Sequence, residues 1–77
     1  MKIVIGEDWT EIAIPDGFFV ITIVADGPFD YANEKEKEAD TPRERARDAI
    51  TDSIASPCVV YVRASKDTVT AFANWRV

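Results

Sequence analysis

Short apolar segments separated by turn residues give the chain the pattern of a β-sheet protein. Phe18 to Ala25 is the most apolar of these segments, and it predicts a strand with apolar side chains on both faces. The same signals predict strands at residues 3–5, 10–14, 59–64 and 68–75. Turn residues separate several of these strands: Pro15-Asp16-Gly17, Asp26-Gly27 and Ser65-Lys66-Asp67.

The charged segment at residues 29–40 is compatible with two elements. Its alternating pattern predicts an edge strand, the kind whose charges resist edge-to-edge aggregation. Three glutamates, about 6.8 Å apart, would then share one face: Glu34, Glu36 and Glu38. The alternative is a helix over residues 33–40, because Glu and Lys are good helix formers. The strand is preferred, since a hairpin signal precedes it and a separate helix start follows.

That helix start is Thr41-Pro42-Arg43-Glu44, with Thr as N-cap, Pro at the first helical position and Glu at the third. The helix is predicted over residues ~42–55, ending before Pro57 because the residue preceding a proline avoids the α region. The predicted fold is therefore α+β: an antiparallel β-sheet of about five strands with this α-helix packed on one face. One helix covers only one sheet face, so an apolar side is expected to remain for self-association or partner binding.

Length and composition limit what kind of protein the chain can be. Its 77 residues make a single domain, residues 1–77. A lone cysteine, Cys58, forms no internal disulfide, which favours an intracellular, cytoplasmic protein. The longest apolar run is too short to cross a bilayer, so no membrane partner is expected. There is no histidine and no phosphate-binding glycine loop, so we expect no enzyme activity, no metal and no cofactor.

The 14 acidic and 9 basic residues give a net charge of −5, which disfavours direct binding to nucleic acid. A basic protein surface is the partner that such a charge fits. The candidate partner-binding residues are the acids that would form two rows, imitating a nucleic-acid backbone, together with one tryptophan: Glu34, Glu36, Glu38, Asp40, Glu44, Asp48, Asp52 and Trp75.

Each of these assignments has a structural alternative. Lysines and arginines interleave with the acids, as they do on an ordinary solvated helix. Trp75 could anchor an interface or pack in the core, and Cys58 reads as a small buried hydrophobe rather than a reactive thiol. The oligomeric state, monomer or homodimer, stays open.

The chain resembles phage-encoded anti-CRISPR proteins in its small size, its acidity, its lack of histidine and its layout. That layout runs from Phe18–Gly27 through Thr41-Pro42 to Val69–Phe72. The resemblance implies a non-enzymatic, DNA-mimicking inhibitor of phage or mobile-element type, acting in the cytoplasm of a bacterial host cell. Such an inhibitor would occupy a basic nucleic-acid-binding surface of a CRISPR effector subunit through its acidic face.

A second resemblance is to HicB-like antitoxins, whose strands lead into a Thr-initiated helix as Glu38–Ala46 is expected to do here. It implies an antitoxin that neutralises a small toxin. This chain lacks that family's Pro-Gly turn before the helix, and it has no appended DNA-binding segment. A structural or assembly protein is the remaining alternative.

Overall fold

The computed structural model describes all residues, 1–77, as eight β-strands and one short α-helix. In chain order the elements are β1 (Lys2–Ile5), β2 (Thr10–Ile14), β3 (Val20–Ala25), β4 (Phe29–Ala32), α1 (Glu34–Glu38), β5 (Glu44–Ala46), β6 (Ala49–Ser53), β7 (Cys58–Ala64) and β8 (Val69–Arg76). The prediction of an antiparallel α+β domain with one helix is confirmed. The strand number and the single sheet are corrected.

The strands form two four-stranded antiparallel sheets rather than one sheet of about five strands. Sheet A has the order β1-β8-β3-β6, and sheet B has the order β2-β7-β4-β5. Consecutive strands lie in different sheets with one exception: β4 and β5 both belong to sheet B and pair with each other. The predicted turns at residues 15–17, 26–27 and 65–67 are present, but each carries the chain from one sheet to the other.

The core lies between the two sheets, where alternate residues of each strand are buried. From sheet A, Ile21 and Ile23 are fully buried; from sheet B, Phe29 and Val62 are. Residues 18–25 therefore do not need a helix to cover them, because the second sheet covers one of their faces. This is the physical reason why a chain with one five-residue helix still encloses a core.

The helix predicted over residues 42–55 is wrong, because β5 and β6 occupy that range. Only two bulky apolar residues, Ile50 and Ile54, lie in the stripe that the helix would have buried. As strands, the same residues gain cross-strand neighbours: Ile50 pairs with Ile23, and Ala46 pairs with Phe29. Burial in the sheets outweighs the local capping signal, whose weight is about 1 kcal/mol.

The strand preferred for residues 33–40 is also wrong, and the helix alternative is confirmed. Asn33 is the N-cap of α1: its side chain accepts from the Glu36 backbone N–H at 2.9 Å, and the Glu36 carboxylate accepts from the Asn33 N–H at 2.8 Å. Glu34, Glu36 and Glu38 consequently do not share one face, because residues two apart on a helix point in different directions.

Alanine substitutions at Asn33 and at Thr41 distinguish the observed helix start from the predicted one. We expect Asn33→Ala to lower the free energy of unfolding by about 1 kcal/mol, because it removes the side-chain oxygen that accepts from the Glu36 backbone N–H. Thr41→Ala is expected to change it by less than about 0.5 kcal/mol, since the exposed Thr41 hydroxyl only donates to the Ala39 carbonyl. Urea denaturation of both variants measures this, and a larger loss for Thr41→Ala would contradict the helix assignment.

Candidate functional site

A buried carboxylate organises the outer face of sheet B. Asp30 on β4 is 1% exposed, and its oxygens accept from Arg45 Nε at 2.8 Å, Arg63 Nε at 3.0 Å and Ser65 Oγ at 3.1 Å. The strand register places Arg45 and Arg63 on either side of it. Burial alone would raise the pKa of Asp30, but these bonds outweigh it and hold the pKa below its ordinary value.

Arg63 extends this network to the surface. Its Nη1 donates to Asp40 at 2.6 Å, and its guanidinium lies 4.3 Å from the centre of the Trp9 ring. Asp40 was predicted to face a partner, yet its charge is balanced within the molecule. Asp40 follows the C-cap residue Ala39 and has a positive φ of 52°, a left-handed conformation that aspartate tolerates better than most residues.

Another arginine contacts two more of the predicted acids. Arg43 Nε contacts Glu36 at 3.1 Å, and Arg43 Nη1 contacts Asp52 at 3.0 Å. The Tyr31 hydroxyl also donates to Asp52 at 3.0 Å, and burial together with this bond raises the tyrosine's pKa. The Tyr31–Asp52 hydrogen bond joins the two sheets, since Tyr31 belongs to sheet B and Asp52 to sheet A, and Arg43 links Asp52 to Glu36 of α1.

Three carboxylates without an arginine partner gather around Tyr61. Glu11 is the cross-strand neighbour of Tyr61 on β2, while Glu34 and Glu38 come from α1. All three are exposed and form no ion pair; we call them the acidic patch. Burial, followed by the charges of these three groups, raises the pKa of Tyr61. The Lys37 ammonium lies 4.9 Å from the centre of the Tyr61 ring. One positive charge against three carboxylates leaves the net charge around Tyr61 negative.

The other predicted residues do not join this patch. Glu44 lies on β5 and Asp48 in the β5–β6 turn, both exposed and without ion pairs, so the expected row with Asp52 is absent. Trp75 is half-buried against the core and meets Phe18 edge to face at 6.5 Å, so it is not the exposed anchor that was expected. Its role in partner binding stays a prediction.

Sequence reasoning missed Glu11, because Glu11 is 23 positions or more from the helix glutamates. Only the pairing of β2 with β7 brings it beside Tyr61. A signal was nevertheless present: the alternation around Ile12 and Ile14 places Glu11 on the solvent side of its strand.

The outer face of sheet A exposes a group of apolar side chains. Val4, Val24 and Phe72 are 64%, 48% and 51% exposed, respectively, and we call them the apolar strip. They lie on β1, β3 and β8, which are adjacent in the sheet. The expected uncovered apolar side is therefore present, on the face that points away from sheet B.

No three His, Cys, Asp or Glu side chains come together in a way that could hold a metal ion. Cys58 packs against the core beside a cavity of about 220 Å³, and burial raises the pKa of its thiol. A raised pKa makes the thiol harder to convert to the thiolate, which is the reactive form. No helix is long and apolar enough to span a membrane.

Comparison of the chain with models of protein families, with curated proteins and with solved structures finds no match.

Proposed function

We propose that the protein is a non-enzymatic inhibitor that binds a basic protein surface through the acidic patch. The observation that carries this proposal is the gathering of Glu11, Glu34 and Glu38 around Tyr61 without an arginine partner. Three of the five arginines, Arg43, Arg45 and Arg63, are each bound to carboxylates of the same chain. Carboxylates left unpaired at the surface are available to basic groups of a partner.

The partner class comes from the resemblance to anti-CRISPR proteins. Small size and a net charge of −5 support it. The hairpin, helix, hairpin layout does not, because the strands of each expected hairpin lie in different sheets. A nucleic-acid-binding groove of a CRISPR effector subunit is a basic surface of the required kind, and the patch would occupy it in place of phosphates.

An antitoxin is not proposed. The HicB-like resemblance depends on a helix beginning at Thr41, and the quoted residues form the end of α1, a turn and β5.

Charge reversal tests the proposal. The variant Glu11→Lys/Glu34→Lys/Glu38→Lys is expected to lose at least about tenfold in affinity for its effector, since exposed ion pairs contribute up to about 1 kcal/mol each. The partner is found first by measuring whether the protein protects phage from single-subunit and multi-subunit CRISPR effectors in plaque assays. Binding to the purified effector is then titrated at low and high salt, where affinity should fall as salt rises.

A matched control carries the same change of charge outside the patch. Glu44→Lys/Asp48→Lys/Asp67→Lys reverses three exposed carboxylates that form no ion pair. This control should keep most of the affinity of the unmodified protein. Equal losses in the two triple variants, or no inhibition of any effector, would count against the proposal.

A further inference from the structure

The outer face of sheet B already holds one cation between an aromatic ring and two carboxylates. The Arg63 guanidinium lies 4.3 Å from the centre of the Trp9 ring, while its Nε donates to Asp30 and its Nη1 donates to Asp40. A planar guanidinium can stack on a ring and bond to carboxylates at its edge at the same time. Tyr61 points to this same face, because it is two residues from Arg63 on β7.

The surroundings of Tyr61 have the same parts, except for the guanidinium. Tyr61 is only 7% exposed, yet its hydroxyl reaches the surface and has no hydrogen-bond partner in the chain. The acidic patch supplies carboxylates from two sides of the ring. Glu11 lies on β2, which borders β7 on one side, and Glu34 and Glu38 belong to α1, which packs against β7 and against β4 on its other side.

Lys37 is the cation that covers the Tyr61 ring in the free protein. Its ammonium forms no ion pair with any carboxylate of the acidic patch, so the negative charge of the patch is only partly balanced. Side chains at the surface change rotamer within picoseconds to nanoseconds. Lys37 can therefore leave the ring without any movement of the backbone.

We propose that Lys37 occupies a site for an arginine side chain of the partner, and that the partner's guanidinium displaces it from the Tyr61 ring. This inference rests on the proposed function, since it names the group that the acidic patch recognises. The arriving guanidinium stacks on the ring, donates to the Tyr61 hydroxyl oxygen and bonds to carboxylates of the patch, as Arg63 does with Trp9 and its two aspartates. A lysine of the partner fits less well, because a compact ammonium does not stack in this way.

Peptide binding tests the chemistry of the site without the effector. At low salt, an oligo-arginine peptide should bind at least about threefold more tightly than an oligo-lysine peptide of equal length. Lys37→Gln should raise the affinity for oligo-arginine about fivefold, because it removes the competing cation as well as one positive charge. Circular dichroism establishes that each variant is folded.

A second lysine of α1 provides the matched control. Lys35→Gln removes the same charge from the same helix, but Lys35 is exposed and makes no ion pair. It should raise the affinity for oligo-arginine by about twofold at most. Equal gains in the two lysine variants, or equal affinities for the two peptides, would overturn the proposal.

The magnetic shielding by the Tyr61 ring reports the position of Lys37 directly. In the free protein the NMR signals of the Lys37 ε-methylene protons should be shifted upfield, and this shift should disappear as oligo-arginine saturates the protein. Tyr61→Thr removes the ring, so it should abolish both the upfield shift and the gain in affinity given by Lys37→Gln. Saturation with peptide while the Lys37 shift stays unchanged would contradict displacement.

Binding to the purified effector separates this inference from the proposed function. Lys37→Gln should bind the effector more tightly than Lys35→Gln does, while the variant with all three patch glutamates reversed loses affinity. If that triple variant loses affinity but the two lysine variants bind equally, the inference is overturned and the proposed function stands. If the triple variant keeps its affinity, both are overturned.

Discussion

Asp30→Ala is expected to lower the free energy of unfolding by about 3 kcal/mol. The substitution leaves two guanidinium groups facing each other across β4 without the carboxylate that joined them. It also deprives the Ser65 hydroxyl of its acceptor. The expected loss is at the low end for a buried ion pair, because the Arg45 side chain is 69% exposed and water takes over part of its solvation. Urea denaturation at neutral pH gives the value.

Acidification gives the same prediction a second readout. The pKa of Asp30 is lower in the folded chain than its ordinary value of 3.8, so its contribution to stability is present above that value. It is lost as the pH falls through the lower, folded-state pKa. The stability advantage of the unmodified chain over Asp30→Asn should therefore shrink between about pH 5 and about pH 2. Asp67→Ala, at an exposed loop position, is the control, and a loss there as large as at Asp30 would contradict the assignment.

Phe29→Ala is expected to cost about 4 kcal/mol, which is enough to unfold much of the population of a small domain. Phe29 is 0% exposed, and its cross-strand neighbours on the two sides are Ala46 and Ala64. Neither alanine can extend into the space of the missing ring, so the cavity would stay open. Phe72→Ala, at a 51% exposed position, should cost less than about 1 kcal/mol in dilute solution. Thermal and chemical denaturation of the pair measure the difference, and similar losses would place the core elsewhere.

Strands that are apolar over several residues could be predicted from the chain alone. Residues 10–14 are a strand with the predicted bounds, and β3, β7 and β8 lie where β-branched and aromatic residues are dense. The turns at Asp16-Gly17 and Asp26-Gly27 were also evident, because glycine and aspartate fit their backbone. How those strands pair could not be predicted, since a turn signal does not specify whether the next strand returns to the same sheet.

The region of residues 33–55 shows why local signals were insufficient. Thr41-Pro42-Arg43-Glu44 has the composition of a helix start, yet the pairing of Ile50 with Ile23 draws the segment that follows into sheet A. Asn33 and Glu36 form the capping box that is in fact used, and the alternation of charges obscured it. The prediction of which acidic residues face a partner was limited in the same way. Their number was evident, but which of them are neutralised depends on contacts such as Arg63 with Asp40, 23 positions apart.

The position of β8 also affects how the protein is made. β8 lies between β1 and β3 in sheet A, although it follows every other strand in the chain. Until residues 69–76 have been synthesised and have left the ribosome, β1 has no partner and β3 can pair only with β6. Sheet A therefore cannot form completely, and its apolar side chains cannot all be buried, until β8 is available to pair with β1 and β3. The open edges of β1 and β3 are therefore where an incomplete chain is most exposed to aggregation, because unpaired strand edges can pair with other chains.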